Sequence, residues 1–193
     1  MQKISISLAV ALAIVSAIVG IGVGYWYTPQ YSMSMYDKNM TGLGEPDKWV
    51  DLRYLDGMIA HHREAVRLAE QAGISERAEI KRLSAEIRKN EATAIAKLYH
   101  WKKEWYGDSK PVQEPQTAHL GSYNKTFDLR FLNALITHDE NGIRMTREIR
   151  LKSSRNEVLD NAYNVERELL EELGKLGEWR KEWYGISVMS AHL

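Results

Sequence analysis

The chain has 193 residues, with 26 basic and 26 acidic side chains and no cysteine. This neutral balance gives no reason to expect nucleic acid as a partner. Because cysteine is absent, disulfides, zinc–thiolate sites, iron–sulfur clusters and c-type haem attachment are excluded. Behind an apolar N-terminus, about 140 residues remain, which is enough for one globular domain with its own core.

The N-terminal segment contains an uncharged apolar run from Ile4 to Gly24, followed directly by Tyr25-Trp26-Tyr27. A helix of about twenty residues crosses a hydrocarbon core of roughly 30 Å, and aromatic residues are typical of the membrane interface. We therefore predict a transmembrane anchor within residues 1–27; the alternative is a cleaved signal peptide. Lys3 precedes the run, which predicts a cytoplasmic N-terminus and a C-terminal domain outside the cytoplasm, in the periplasm or at the cell surface.

Residues 28–46 have no helical or strand period and contain two prolines, which predicts a linker between membrane and domain. Met33, Met35 and Met40 lie in this polar segment. Thioether sulfur is a soft ligand suited to Cu(I), and a flexible Met-x-Met segment allows two sulfurs to reach one ion. Ordinary linker methionines that pack on the domain are the alternative.

From residue 47 onward, apolar residues recur with a period near 3.6, which predicts an amphipathic helix that Gly73 ends. Met58, His61 and His62 all lie on its inward face. A second helix is expected from Ser75 to about Tyr106. Glu91 is the exception on its apolar face, either as a metal ligand or as a carboxylate that reaches water at the edge.

A second helical pair follows the Pro- and Gly-containing segment 107–123. The third helix is expected to begin near Lys125 and to carry His138 and Met145 inward. Ser154 and Glu157 have the spacing of a capping box for the fourth helix, which carries Glu172 on its inward face.

The two pairs are an internal repeat: Trp101-Lys102-Lys103-Glu104-Trp105-Tyr106-Gly107 recurs as Trp179-Arg180-Lys181-Glu182-Trp183-Tyr184-Gly185. Two similar hairpins, each with one apolar face, bury those faces against one another. We therefore predict an all-α, four-helix bundle over residues 47–185. Its repeats are 47–107 and 125–185, and residues 186–193 form a C-terminal tail.

The inward polar residues predict a metal site. Met58 lies three and four residues before His61 and His62, so one sulfur and the imidazoles can share an ion. The other helices contribute four further candidates: Glu91, His138, Met145 and Glu172. Nitrogen, thioether and carboxylate donors together suit copper.

Two other functions have less support in the sequence. The chain contains no Glu-x-x-His pair, which disfavours di-iron chemistry, and no nucleophile–base or cofactor motif, so we do not expect an enzyme. The main alternative is a structural or protein-interaction module on a membrane tether. Its histidines would be hydrogen-bonded inside a metal-free core.

These residues resemble the family grouped as domain of unknown function 305, whose signature is Asp-x-x-Phe/Tyr-x-x-x-Met-Ile-x-His-His followed by a second helix that ends in tryptophan. The signature matches Asp51, Tyr54, Met58-Ile59 and His61-His62, and Trp101 matches the end of the hairpin. The resemblance implies a ferritin-like fold, export or membrane tethering, and copper binding at Met58, His61 and His62.

The second half of the chain departs from this family pattern. His138-Asp139 stands where members repeat His-His, and Leu135-Ile136 replaces Met-Ile. We therefore expect a degenerate second half-site and a metal held mainly by the first helix.

Overall fold

The computed structural model describes residues 42–187, which form four α-helices and no strand. The helices are α1 (Val50–Ala72), α2 (Ala78–Tyr106), α3 (Phe127–Arg150) and α4 (Asn156–Tyr184). The prediction of an all-α, four-helix fold is confirmed. The expected transmembrane helix, the linker methionines Met33, Met35 and Met40, and most of the C-terminal tail lie outside residues 42–187. Within that range, no helix is long and apolar enough to cross a membrane.

Glycine ends both long helices in the same way. Gly107 follows α2 with φ of 63°, and Gly185 follows α4 with φ of 67°. Glycine has no Cβ, so it adopts this left-handed conformation at little cost and closes the helix. The repeated Trp-Tyr-Gly sequence is therefore a repeated stop signal.

The predicted capping box at Ser154 and Glu157 is wrong. The residue before α4 is Arg155, which is extended and makes no side-chain cap hydrogen bond. Instead, the Arg155 N–H donates to the Ser153 hydroxyl at 3.1 Å. The start of α2 is the same, because the Arg77 N–H donates to the Ser75 hydroxyl at 3.1 Å and Ser75 lies outside the helix. In both hairpins, the serine shapes the turn that leads into the helix.

Each hairpin packs along its own length, and the close contact between hairpins is made by α1 against α3. The core consists of two apolar clusters on either side of the middle of the bundle. One is built around Phe127, Phe131, Leu132 and Ile80. The other is built around Tyr54, Leu55, Met58, Ile59 and Leu98. The histidines His61, His62 and His138 are buried in the same interior.

The repeat includes the extended segment before each hairpin. The Arg53 guanidinium donates to the Leu43 carbonyl at 2.6 Å, and the Arg130 guanidinium donates to the Leu120 carbonyl at 2.6 Å. Both leucines are buried. Residues 42–46, which the sequence placed at the end of the linker, are therefore packed on the bundle in the same way as residues 119–123.

An arginine from each hairpin contacts the other hairpin at equivalent positions. Each makes an ion pair with an aspartate near the start of α1 or α3 and stacks on the last tryptophan of α2 or α4. Arg77 Nε lies 3.2 Å from Asp128 Oδ2 and Arg155 Nε lies 3.3 Å from Asp51 Oδ2, with guanidinium carbons 4.2 Å from the ring centroids of Trp183 and Trp105. These reciprocal contacts follow the pseudo-twofold symmetry of the two repeats.

Candidate metal centre

Three histidines meet where α1 crosses α3. The rings of His61 and His138 stack face to face, with centroids 3.8 Å apart and planes at 4°. The ring of His62 lies edge-on to His61, with centroids 5.8 Å apart. The residues are 6 %, 6 % and 4 % exposed for His61, His62 and His138, so all three imidazoles belong to the interior. The predicted inward orientation of the histidines agrees with this arrangement.

Gly142 provides the space for this stack. A Cβ on Gly142 would lie 2.5 Å from His61 Nε2 and 2.6 Å from Leu169 Cδ1. Any side chain there would displace the imidazole or the α4 leucine. The sequence placed Gly142 on the inward stripe of α3 but gave it no role. The sequence did offer a hint, because Gly142 is a glycine in a helix interior where the first repeat has Ala65.

His62 is paired with Glu91 across the first hairpin. Its Nδ1 is in close ion-pair contact with Glu91 Oε2, and the Glu91 side chain is 21 % exposed. The carboxylate that stood out on the apolar face of α2 therefore points toward an imidazole. A carboxylate beside a histidine nitrogen orients the ring and raises its basicity as a ligand.

Two further carboxyl groups lie close to Glu91, one on α3 and one on α4. Burial, together with the negative charges of Glu172, Glu91 and Glu140, raises the pKa of Asp139 to about 9. Burial and the charge of Glu91 likewise raise the pKa of Glu172 to about 7, with Lys175 acting in the opposite direction. Glu91, Asp139 and Glu172 therefore form a cluster of mutually repelling carboxyl groups from three helices.

Asp139 was not among the predicted site residues. It occupies the position of His62 in the second repeat, 77 positions later (62 to 139). That equivalence was the available signal, because a residue related by the pseudo-twofold axis to an inward-facing histidine also faces the interior.

Several buried polar atoms of these side chains have no hydrogen-bond partner. They are His62 Nδ1 and Nε2, Glu91 Oε2, His138 Nδ1, Asp139 Oδ2 and Glu172 Oε1. The contact between His62 and Glu91 is close but lacks hydrogen-bond geometry, and His138 Nδ1 lies 3.5 Å from Glu64 Oε2. An unsatisfied buried polar atom costs about 1–3 kcal/mol. A group of them is therefore typical of a binding site rather than of a relaxed core.

The nitrogen and oxygen atoms of these side chains do not converge on one point. Within residues 42–187, no three His, Asp or Glu side chains have the geometry of a complete metal site. The His61–His138 stack accounts for part of this, because stacked rings do not direct their nitrogens at a common ion. Burial, with His138 and His62 nearby, holds the pKa of His61 well below its usual value. His61 is therefore neutral, which is the protonation state that binds metals.

A pocket of about 340 Å³ connects this cluster to the surface between α2 and α4. His61, His62, Glu91 and Glu172 line it, together with apolar side chains from both helices. Further charged residues line the same pocket: Glu86, Glu168, Glu171 and Lys175. The cluster thus has an access route with predominantly negative charge.

The two predicted methionine ligands lie elsewhere. Met58 is fully buried among Tyr54, Leu55 and the other residues of its apolar cluster. Met145 packs against the same cluster, and its sulfur would lie 2.9 Å from a Cβ on Gly57. Neither methionine lines the pocket. Of the predicted residues, the structure therefore groups His61, His62, Glu91 and Glu172 at the pocket and stacks His138 on His61.

Residues 51–126 match the family model described as Domain of unknown function (DUF305), which confirms the resemblance predicted from the sequence. No curated protein sequence matches the chain.

Solved structures of CopM have the same fold. CopM in the Cu(I)-bound form is 24% identical with a TM-score of 0.64, over 72% of this chain and 100% of CopM. The Ag-bound form obtained by soaking is 25% identical with a TM-score of 0.63, over 72% and 100%. The apo form is 24% identical with a TM-score of 0.63, over 70% and 98%. Both hairpins are therefore part of the shared architecture.

Proposed function

We propose that this chain is a metal-binding protein tethered to a membrane, with its helical domain outside the cytoplasm, and that it binds or buffers copper without catalysing a reaction. The observation that carries the proposal is the group of buried imidazole and carboxyl side chains beside a pocket, several of whose polar atoms make no hydrogen bond. Each of the four helices contributes at least one of these side chains. Ligands from facing helices are the usual way in which a bundle core holds a metal.

Three considerations support copper. CopM, which has the same fold, has been solved in Cu(I)-bound, Cu(II)-bound and Ag-bound forms. The Met-Ile-x-His-His motif of DUF305 is present at residues 58–62, within the matched region. Imidazole nitrogen is also a common copper ligand.

Metal titration tests the proposal directly. The full chain, purified in detergent and stripped of metal, is titrated with Cu(II) and, under reducing conditions, with Cu(I). A His61→Ala/His62→Ala variant is expected to bind at least tenfold more weakly than the parent. His100→Ala is the matched control, because the His100 side chain is 72% exposed on α2 and should leave binding unchanged. Equal and weak binding by all three proteins would contradict the proposal.

A structural role is the second candidate, and the His61–His138 stack favours it, since flat packing of two rings at 3.8 Å fills the interior without a metal. In that case the double variant loses much of its thermal stability in metal-free buffer, and copper does not stabilise the parent. Under the metal-binding proposal, copper raises the melting temperature of the parent and not that of the double variant.

The membrane tether rests on the apolar run from Ile4 to Gly24. We expect the full chain to sediment with membranes and to resist extraction at high pH, while a chain beginning at Thr28 is released. Protease added outside intact cells, after the outer barrier is opened, is expected to digest the helical domain. Recovery of the full chain in the soluble cytoplasmic fraction would contradict the tether.

A further inference from the structure

The pocket between α2 and α4 has apolar walls and many carboxyl groups. Leu83 and Ile87 line it from α2, and Val165 and Leu169 line it from α4. Five glutamates line the same pocket: Glu86, Glu91, Glu168, Glu171 and Glu172. Among the described residues that line it, Lys175 is the one lysine or arginine. The pocket therefore combines apolar surface with net negative charge.

The inner end of the pocket contains buried hydrogen-bond acceptors. His62 lines the pocket, is 6 % exposed, and its Nε2 has no hydrogen-bond partner. The Glu91 carboxylate lies against its Nδ1, so the neutral imidazole keeps its proton on Nδ1 and Nε2 is an acceptor. Glu172 Oε1 is a second buried acceptor without a hydrogen bond. A ligand that satisfies both atoms has to donate hydrogen bonds.

The carboxyl groups are spread along the pocket rather than gathered at one point. On α4, Glu168 and Glu172 are one helical turn apart, about 6 Å along the axis. On α2, Glu86 and Glu91 are about 7.5 Å apart along the axis. This spacing suits an extended ligand with several positive groups. A chain of methylenes between those groups would lie on the apolar walls, as the stem of a lysine does on apolar surface.

The size of the pocket fits a small molecule. Its volume of about 340 Å³ is near the lower end of the range for small-ligand sites, roughly 300–1,000 Å³. Glu86, Glu168 and Glu171 are exposed at the mouth, whereas His62 is buried at the inner end. A slender ligand can therefore reach the buried acceptors while its other end stays among the outer carboxylates.

We propose that this pocket binds a linear aliphatic diamine or polyamine. Its ammonium groups pair with the glutamates, its methylenes lie against the leucine, isoleucine and valine side chains, and the innermost ammonium donates to His62 Nε2. The inference goes beyond the proposed metal-binding function and does not depend on it. The outer glutamates Glu86, Glu168 and Glu171 are not among the candidate metal ligands.

The experiment uses the metal-free full chain in detergent, at an ionic strength of about 0.15 M so that long-range attraction is screened. Isothermal titration calorimetry measures the affinities for 1,4-diaminobutane and spermidine. Butylamine and 1,4-butanediol are the matched ligands, because they keep the four-carbon chain with one ammonium and with none. We expect the diamine to bind more tightly than butylamine by a factor of about ten or more, and butanediol not to bind.

Two variants and a control test the pocket. Glu168→Gln/Glu171→Gln removes two charges at exposed positions of α4, so the fold should be retained. We expect its diamine affinity to fall by a factor of about ten or more, with Cu(II) affinity unchanged. Lys175→Gln should strengthen diamine binding, because it removes a like charge from the lining. Glu178→Gln is the matched control, since Glu178 is exposed on α4 and does not line the pocket.

Several results would overturn the inference. They are no diamine binding by the parent, equal affinities for the diamine and butylamine, or full diamine binding by Glu168→Gln/Glu171→Gln. Displacement of the diamine by an equal concentration of Mg(II) would also overturn it, because it would show non-specific attraction to an acidic surface. Each of these results leaves metal binding standing, since the copper titration of the parent and of His61→Ala/His62→Ala decides that function separately.

Discussion

The two hairpins of this bundle share their framework and differ in their interior chemistry. Both have an arginine that holds the preceding segment, a serine that shapes the interhelical turn and a Trp-Tyr-Gly helix end. Both hold the other hairpin through an arginine that pairs with aspartate and stacks on tryptophan. The contacts that assemble the bundle are therefore duplicated.

The interior positions are not duplicated. Met58 corresponds to Leu135 and His62 to Asp139, each 77 positions apart, and the Glu91 position is Leu169 in the second hairpin (91 to 169). Glu172 instead corresponds to Ala94, one turn further along the helix (94 to 172). The two hairpins therefore contribute different side chains to the pocket, which His62, Glu91 and Glu172 line.

The first prediction, which has the largest expected effect on stability, compares Lys102 with the equivalent Arg180, because their partners differ in charge. Lys102 is 2 % exposed and its Nζ lies 2.6 Å from Asp56 Oδ1, whereas the equivalent Arg180 reaches the neutral Asn133 at 3.1 Å on an exposed face. Lys102→Ala leaves Asp56 buried without its partner and should lower the free energy of unfolding by about 3 kcal/mol. Arg180→Ala should cost about 1 kcal/mol or less. Chemical denaturation measures the free energy of unfolding of both variants. Equal losses for Lys102→Ala and Arg180→Ala would contradict the prediction.

The second prediction concerns the glycine that makes room for His61. Gly142→Ala places a Cβ 2.5 Å from His61 Nε2, and such overpacking should lower the free energy of unfolding by about 2 kcal/mol. Gly174 is the matched control, since it lies in α4 with no atom within 4 Å of a Cβ. Gly174→Ala should stabilise the chain by about 0.5–1 kcal/mol, because alanine is the better helix former. Thermal melts of both variants test this, and stabilisation by both would show that His61 moves at no cost.

The sequence predicted the helices and their inward faces because apolar spacing reports a helix face directly. His61, His62 and Glu91 were found this way, since a polar residue on an apolar stripe is conspicuous. The bundle itself followed from the repeated tryptophan sequence. Helix faces and the repeat were thus readable from local pattern.

Neighbours across the bundle were not readable in this way. The spacing of Met58 and His61 showed that they share a face of α1, but not that Met58 packs into an apolar cluster while His61 stacks on His138. The space at Gly142 depends on the distance between α1 and α3. The Leu-Gly pair at residues 43–44 recurs at residues 120–121, which was a sequence signal that the repeat extends beyond the helices. In the structure both glycines have positive φ, 71° and 72°.

The third prediction concerns Asp139, the residue that replaces a histidine in the second hairpin. Its folded-state pKa of about 9 lies above the ordinary value of 3.8. The folded state therefore holds a proton that the unfolded state releases, and the metal-free protein should lose stability as pH rises from about 4 to 9. Asp139→Asn should flatten this decline and stabilise the chain at pH 8 by on the order of 1 kcal/mol. Thermal melts of the parent and of Asp139→Asn from pH 5 to 9 provide the measurement. The same pH dependence in both proteins would contradict a raised pKa of Asp139.

The smallest expected difference is between the two reciprocal arginines. Arg77→Ala and Arg155→Ala each remove one ion pair and one arginine–tryptophan contact at 4.2 Å. Both arginine side chains are more than a third exposed, at 39% and 37%, so each loss should cost only about 1 kcal/mol. Because the contacts are equivalent, the two costs should agree within about 0.5 kcal/mol and add in the double variant. Denaturation curves of the three variants measure this, and unequal costs would mean that the framework has diverged along with the pocket.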